Sequence, residues 1–131
     1  MKAIDMGIGL GITFLMYLIQ ISVFWYVSKF PAKEINTLSG YRTKRSMKTQ
    51  ANWDYANALN NRLMLWAAHI FLVIAVLLLL IFHSSLSGQW YIGISTGLYL
   101  MSIATAIGIT EYKTNSLKKH KVNFYFFHQN K

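Results

Sequence analysis

Three apolar stretches, residues 4–27, 63–82 and 90–109, constrain this chain more than anything else in it. Each reaches or exceeds the roughly 20 residues that carry an α-helix across about 30 Å of hydrocarbon. Within them the only ionisable groups are Asp5, at the very start of the first, and His69. Charged residues make up 13% of the chain and hydrophobic ones 54%, against roughly 25% charged in soluble domains. A chain of 131 residues is too short to hide that much apolar surface in one water-soluble core. The reading is a single all-α membrane domain of three transmembrane helices, about residues 4–28, 63–83 and 90–111. A loop, 29–62, and a tail, 112–131, complete it. The first span is too long, and too poor in preceding basic residues, for a cleaved signal peptide.

The net charge of +9 is distributed in a way that argues against nucleic acid. Seven of the thirteen Lys and Arg lie between Lys29 and Arg62 and five follow Glu111, while the connector 83–89 has none. Basic residues alternate with the spans, as the positive-inside rule requires. The N-terminus and the short connector are therefore expected outside, and the long loop and tail in the cytoplasm. Lipid is the first partner this charge implies.

Polar groups inside the spans are the next constraint. Gln20 lies within the first run and is expected to bond a neighbouring helix, either as structural glue or as part of a transport path. His69 lies one turn inside the second helix. It is a candidate proton switch or a neutral imidazole hydrogen-bonded to a neighbouring helix. Glu111, at a similar depth, is expected to pair with His69 or with a loop cation. Gly7 and Gly11, with Gly9 between them, and Gly93 and Gly97 have spacings that allow helices to approach closely, within the bundle or between protomers. Trp90 and Tyr91 are expected to anchor the third helix at the outer interface. The tail, with Phe124 to Phe127 among basic residues, reads either as a membrane-surface segment or as partly disordered.

Catalytic groups are sparse. The four acids, Asp5, Glu34, Asp54 and Glu111, are far apart in sequence, no histidines have metal-ligand spacing, and cysteine is absent. No metal-binding, phosphate-loop or nucleophile motif occurs. The expectation is a protein that is not an enzyme and carries no cofactor.

The loop itself is too textured to be a mere connector. From Thr49 onward, Trp53, Ala56/Asn57, Asn60 and Met64 recur at helical spacing, and no Gly or Pro interrupts residues 51–82. One helix is expected to run from the loop straight into the second span. Before it, Gly40 is expected to sit in a turn, and Arg42 offers a five-donor fork for a carboxylate, a phosphate or helix-end carbonyls, or else is plain lipid-facing charge. Arg42 and Thr43 are expected to tether the loop to the start of helix 2. Trp53 would pack beneath, and Asn57 would bond the loop backbone or a partner.

Together, Asn36, Gly40, Tyr41, Arg42 and Thr43, followed by Trp53, Ala56 and Asn57, resemble the motif of the SdpI-type family of small bacterial membrane proteins. The chain departs from that pattern at Gln50 and Ala51, where the family tends to carry acids, and at Asn60 and Asn61, where it tends to carry small residues. The resemblance implies a multi-pass protein of the bacterial inner membrane that gives immunity or toxin resistance by binding a peptide or protein partner. Capture of a cytoplasmic regulator is a secondary implication. Two other classes stay open: a scaffolding subunit or homo-oligomer within a larger membrane complex, and a minimal oligomeric transporter or lipid-handling factor using Gln20, His69 and Glu111.

Overall fold

A computed structural model describes residues 3–82 and 84–129, with side chains described over 5–82 and 84–115. The described chain is all-helical. Helix α1 spans Ala3–Lys29, α2 Gln50–Phe82 and α3 Gly88–Gln129, with one 3-10 turn at Ser46–Lys48 in the loop. Each of the three helices contains a segment long and apolar enough to cross a membrane. They form a three-helix bundle in which α2 packs against both neighbours and α1 also touches α3.

The helix ends follow local chemistry. Beyond Lys29, Pro31 cannot supply a backbone donor and disfavours helix in the residue before it, so α1 stops. Thr49 is extended, at φ −148 and ψ 154, and caps α2: its hydroxyl accepts from Asn52 N at 3.2 Å. Ser87 caps α3 in the same way, its hydroxyl accepting from Trp90 N at 3.4 Å. Helix α2 then runs unbroken for 33 residues. Helix α3 continues well past residue 111, because no Gly or Pro stands between Ile109 and Gln129 to stop it. The segment assigned to a tail is thus helical to residue 129. Phe124 to Phe127 lie outside the residues whose side chains are described, and His83 lies outside the described residues altogether.

The bundle interior is more polar than its outside. On α2 the buried stripe is Trp53, Ala56, Asn60, Met64, Ala68, Phe71, Ala75 and Leu79. Against it lie Thr13 and Gln20 of α1, and Tyr91, Ser95, Ala106, Thr110 and Thr114 of α3. Large aliphatic side chains such as Leu15, Ile19, Val73, Leu80 and Met101 point outward. That arrangement is costly in water and costless in lipid, where helices associate through small residues and internal hydrogen bonds instead.

Tyr91 shows how the interior is built, and corrects its expected place at the interface. It is fully buried, its ring against Gly9, where an added Cβ would lie 2.7 Å from the ring. Its hydroxyl is 3.1 Å from the Thr13 hydroxyl and donates to the Ala75 carbonyl at 3.3 Å, so one residue joins all three helices. Trp90, its neighbour, is exposed. Of the two places left open for the glycine spacings, the one inside the protomer is not used. An added Cβ at Gly7, Gly11, Gly93 or Gly97 meets nothing within 4 Å, so these residues bring no helices together inside the protomer. The close approach comes from Gly9 and from fully buried Ala56, Ala68 and Ala75 of α2.

Candidate functional site

The loop 30–49 folds back over the start of α2 and is held there residue by residue. Asn36 closes an Asx turn: its Oδ1 accepts from Leu38 N at 3.0 Å and Ser39 N at 2.8 Å, while its Nδ2 donates to the Glu34 carbonyl. This places Gly40 at φ +96, a conformation that side-chain-bearing residues avoid. Space also demands glycine there. A Cβ at Gly40 would lie 2.7 Å from Asn57 Oδ1 and 2.9 Å from the Trp53 ring.

Trp53 and Asn57 are the floor of this site. The Trp53 indole is fully buried and its Nε1 donates to the Ala32 carbonyl at 2.9 Å. Asn57, one turn on, accepts from Tyr41 N at 2.6 Å through Oδ1 and donates to the Trp53 carbonyl at 2.9 Å through Nδ2. Two residues of α2 therefore pin both the first turn of the loop and its middle. Gln50 adds a third link, donating to the Lys33 carbonyl and to Asp54 Oδ1, each at 2.7 Å.

Arg42 and Thr43 work differently from the tether expected of them. Arg42 donates to the Thr37 carbonyl within the loop and its side chain is exposed. Thr43 pairs with Ser46: Thr43 N donates to Ser46 Oγ at 2.8 Å, and Ser46 N to Thr43 Oγ1 at 3.1 Å. The tie to α2 runs instead through the Tyr41 backbone and through Asn52, whose Nδ2 donates to the Arg45 carbonyl at 3.1 Å. Ser46 and Asn52, both buried, were not singled out in the sequence. Their signal is the three-residue spacing of Thr43 to Ser46 and Thr49 to Asn52, typical of hydroxyl and amide side chains that bond nearby backbone.

The third helix is joined by Tyr41 and Glu111. The Tyr41 hydroxyl lies 3.2 Å from Glu111 Oε1 and 3.3 Å from the Ile107 carbonyl. Arg45 reaches Glu111 Oε2 at 3.5 Å. Both side chains of that ion pair are partly exposed, so it contributes at most about 1 kcal/mol. Glu111 thus takes the loop cation and not His69. The imidazole Nδ1 of His69 sits 2.7 Å from the Leu65 carbonyl of its own helix, with the Tyr17 ring edge-on at 5.7 Å. His69 thus stands against α1 and apart from Glu111. Gln20 reaches α2, its Nε2 donating to the Met64 carbonyl at 3.0 Å.

Burial first, and the Glu111 carboxylate second, push the Tyr41 hydroxyl up from 10.0 to about 12. Below pH 10 the phenol keeps its proton in folded and unfolded chains alike, and its stabilising contribution is intact. Between pH 10 and 12 the unfolded chain ionises first, so stability falls as pH rises through that window. A difference titration of tyrosinate absorbance, wild type minus Tyr41→Phe, should isolate one phenol ionising near pH 12. Glu111→Gln should lower that midpoint only part of the way, because burial remains. An isolated midpoint at 10 in the wild type would refute the packed geometry.

The arrangement is a brace. Among the described residues, no three of His, Cys, Asp and Glu gather where they could hold a metal. No solved structure matches the chain. "Uncharacterized protein YfhL" of Bacillus subtilis (strain 168) is 46% identical over 39 residues, a stretch that covers 30% of this chain and only 36% of that protein. The model of the SdpI/YfhL protein family matches residues 33–110, a range that takes in every residue of the brace except Ala32 and Glu111. On that match, over more than half its length, the chain belongs to the SdpI/YfhL protein family.

Proposed function

We propose that this protein confers toxin resistance at the bacterial inner membrane by holding a peptide or protein partner, and that it acts by binding and not by chemistry. The N-terminus lies outside and the loop and C-terminus lie in the cytoplasm, as the charge alternation favours. One observation carries the reading: the motif residues Asn36, Gly40, Tyr41, Thr43, Trp53 and Asn57 are engaged within the fold, with one another, with nearby backbone, and with Ser46 and Glu111. The motif thereby holds a loop surface in shape. The same loop also exposes Leu38, at 88%, together with Phe30 and the loop cations. A cytoplasmic regulator meets this rim. An external peptide meets the outer halves of α1 and α3 first.

A strain lacking the protein should survive challenge by secreted membrane-active peptides less well. Survival should return with the wild-type chain and not with Gly40→Ala. Equal sensitivity with and without the chain overturns the proposal. The second reading, a subunit of a larger or homo-oligomeric membrane assembly, draws on the open outward faces at Gly93, Gly97 and Gly108, and recovery of a stoichiometric partner from native membranes tests it.

A further inference from the structure

Between the last turn of α1 and the first turns of α2 runs a cleft of about 550 Å³, whose lining includes Val27, Ser28, Lys33, Asp54, Asn57 and Asn61. The volume falls within the range of small-molecule sites. The depth of the cleft is set by its neighbours. Ser28 follows the apolar run of α1, and Asn61 stands just before the apolar run that starts at Leu63. Lys29, its Nζ 6.0 Å from the Trp25 ring centroid, and exposed Trp25 and Tyr26 mark the same level as a membrane–water interface. The cleft therefore opens at the depth of lipid headgroups.

Its polar groups carry both signs. Lys33 supplies an ammonium, and among the described residues no carboxylate pairs with it. Asp54 supplies a carboxylate, one oxygen of which takes the Gln50 amide. Asn61 lines the cleft, and its amide oxygen is buried with no donor, so that a turn of the side chain would present it to a ligand there. The last carbonyls of α1 add the negative end of a helix. Asn57 is already committed through both ends of its amide and forms wall only. What fits is a ligand with a multiply donating cation for Asp54 and Asn61 and an anion for Lys33.

We propose that this cleft binds the phosphoethanolamine headgroup of a phospholipid, its ammonium between Asp54 and Asn61 and its phosphate at Lys33. A choline headgroup has no N–H and leaves the Asn61 oxygen unpaired. A glycerol headgroup brings hydroxyls but no cation for Asp54. A buried acceptor without a donor carries its whole desolvation cost, so the discrimination is chemical and not steric.

The test is native mass spectrometry of the full chain in detergent, titrated with phosphatidylethanolamine, phosphatidylcholine and phosphatidylglycerol of the same acyl chains. Phosphatidylethanolamine should be retained about tenfold better than either, the equivalent of about 1.4 kcal/mol. Asp54→Asn and Asn61→Leu should each abolish that preference. Asn61→Leu removes an unsatisfied buried oxygen, so its thermal midpoint should stay level or rise, which separates loss of the site from loss of the fold. Soluble phosphoethanolamine should compete only weakly, since it lacks the lipid's anchoring chains. Equal retention of the three lipids overturns the proposal. So does a preference that both variants keep, or binding of a lysine-rich peptide with no lipid preference, which would assign the cleft to a cationic protein segment.

Discussion

Gly40→Ala should destabilise the loop end of the bundle by roughly 2–6 kcal/mol, more than any other single-methyl change in the described chain. Two costs combine. The backbone at φ +96 disfavours any side chain by about 1–3 kcal/mol. The added carbon would also lie 2.7 Å from Asn57 Oδ1 and 2.9 Å from the Trp53 ring, and overpacking of this kind costs about 1–3 kcal/mol. Neither neighbour has room to yield. Asn57 is fixed by hydrogen bonds to Tyr41 N and the Trp53 carbonyl, and Trp53 is held at Ala32. Relief requires the loop to lift, which breaks the Tyr41–Asn57 bond. Trypsin should report this at Lys44 and Arg45, with cleavage in detergent rising by one to two orders of magnitude over wild type. An unchanged thermal midpoint together with unchanged cleavage would show that the loop is not held as described.

Trp53→Ala should cost about 3–5 kcal/mol, the range for deleting a large aromatic from a packed site. The location matters as much as the size. Trp53 precedes the apolar run of α2 by more than two turns, so its burial is from water and earns the full hydrophobic term. Phe71, equally enclosed and set edge-on to Tyr99 at 5.1 Å, lies where the alternative environment is lipid. Phe71→Ala should therefore cost less than Trp53→Ala despite similar burial. Trp53→Phe keeps most of the ring volume but loses the donor to Ala32, at about 1 kcal/mol. The comparison is made by equilibrium unfolding in one detergent. A larger loss at Phe71 than at Trp53 would remove the case for a water-borne core at this end. Because Gly40 and Trp53 touch, their double variant should be markedly non-additive.

The three spans were legible because length and apolarity alone define them, and the unbroken α2 because helical spacing persisted with no breaker. What apolarity does not encode in lipid is which side of a helix faces in. The glycines of α1 and α3 illustrate this: Gly7 and Gly93 have the same spacing signal as any packing motif, yet face open space. The actual contacts fall to Gly9 and the alanines of α2. Whether Glu111 would take His69 or a loop cation stayed open for the same reason. In the loop, Gly40, Trp53 and Asn57 stood out through residue type and spacing. Ser46, Asn52 and the Arg45–Glu111 pair did not, since their partners depend on the path of an irregular backbone and on a helix some 66 residues further along.

Helix α2 carries one further consequence by its continuity. At 33 residues it is about 50 Å long, with no Gly or Pro at which to hinge. Spanning helices tilt by up to some 40° as bilayer thickness varies. A tilt of only about 10° about the Phe82 end swings the Gln50 end sideways by roughly 9 Å. The helix is thus a lever whose short strokes in the hydrocarbon become wide ones at Trp53, where the loop is clasped.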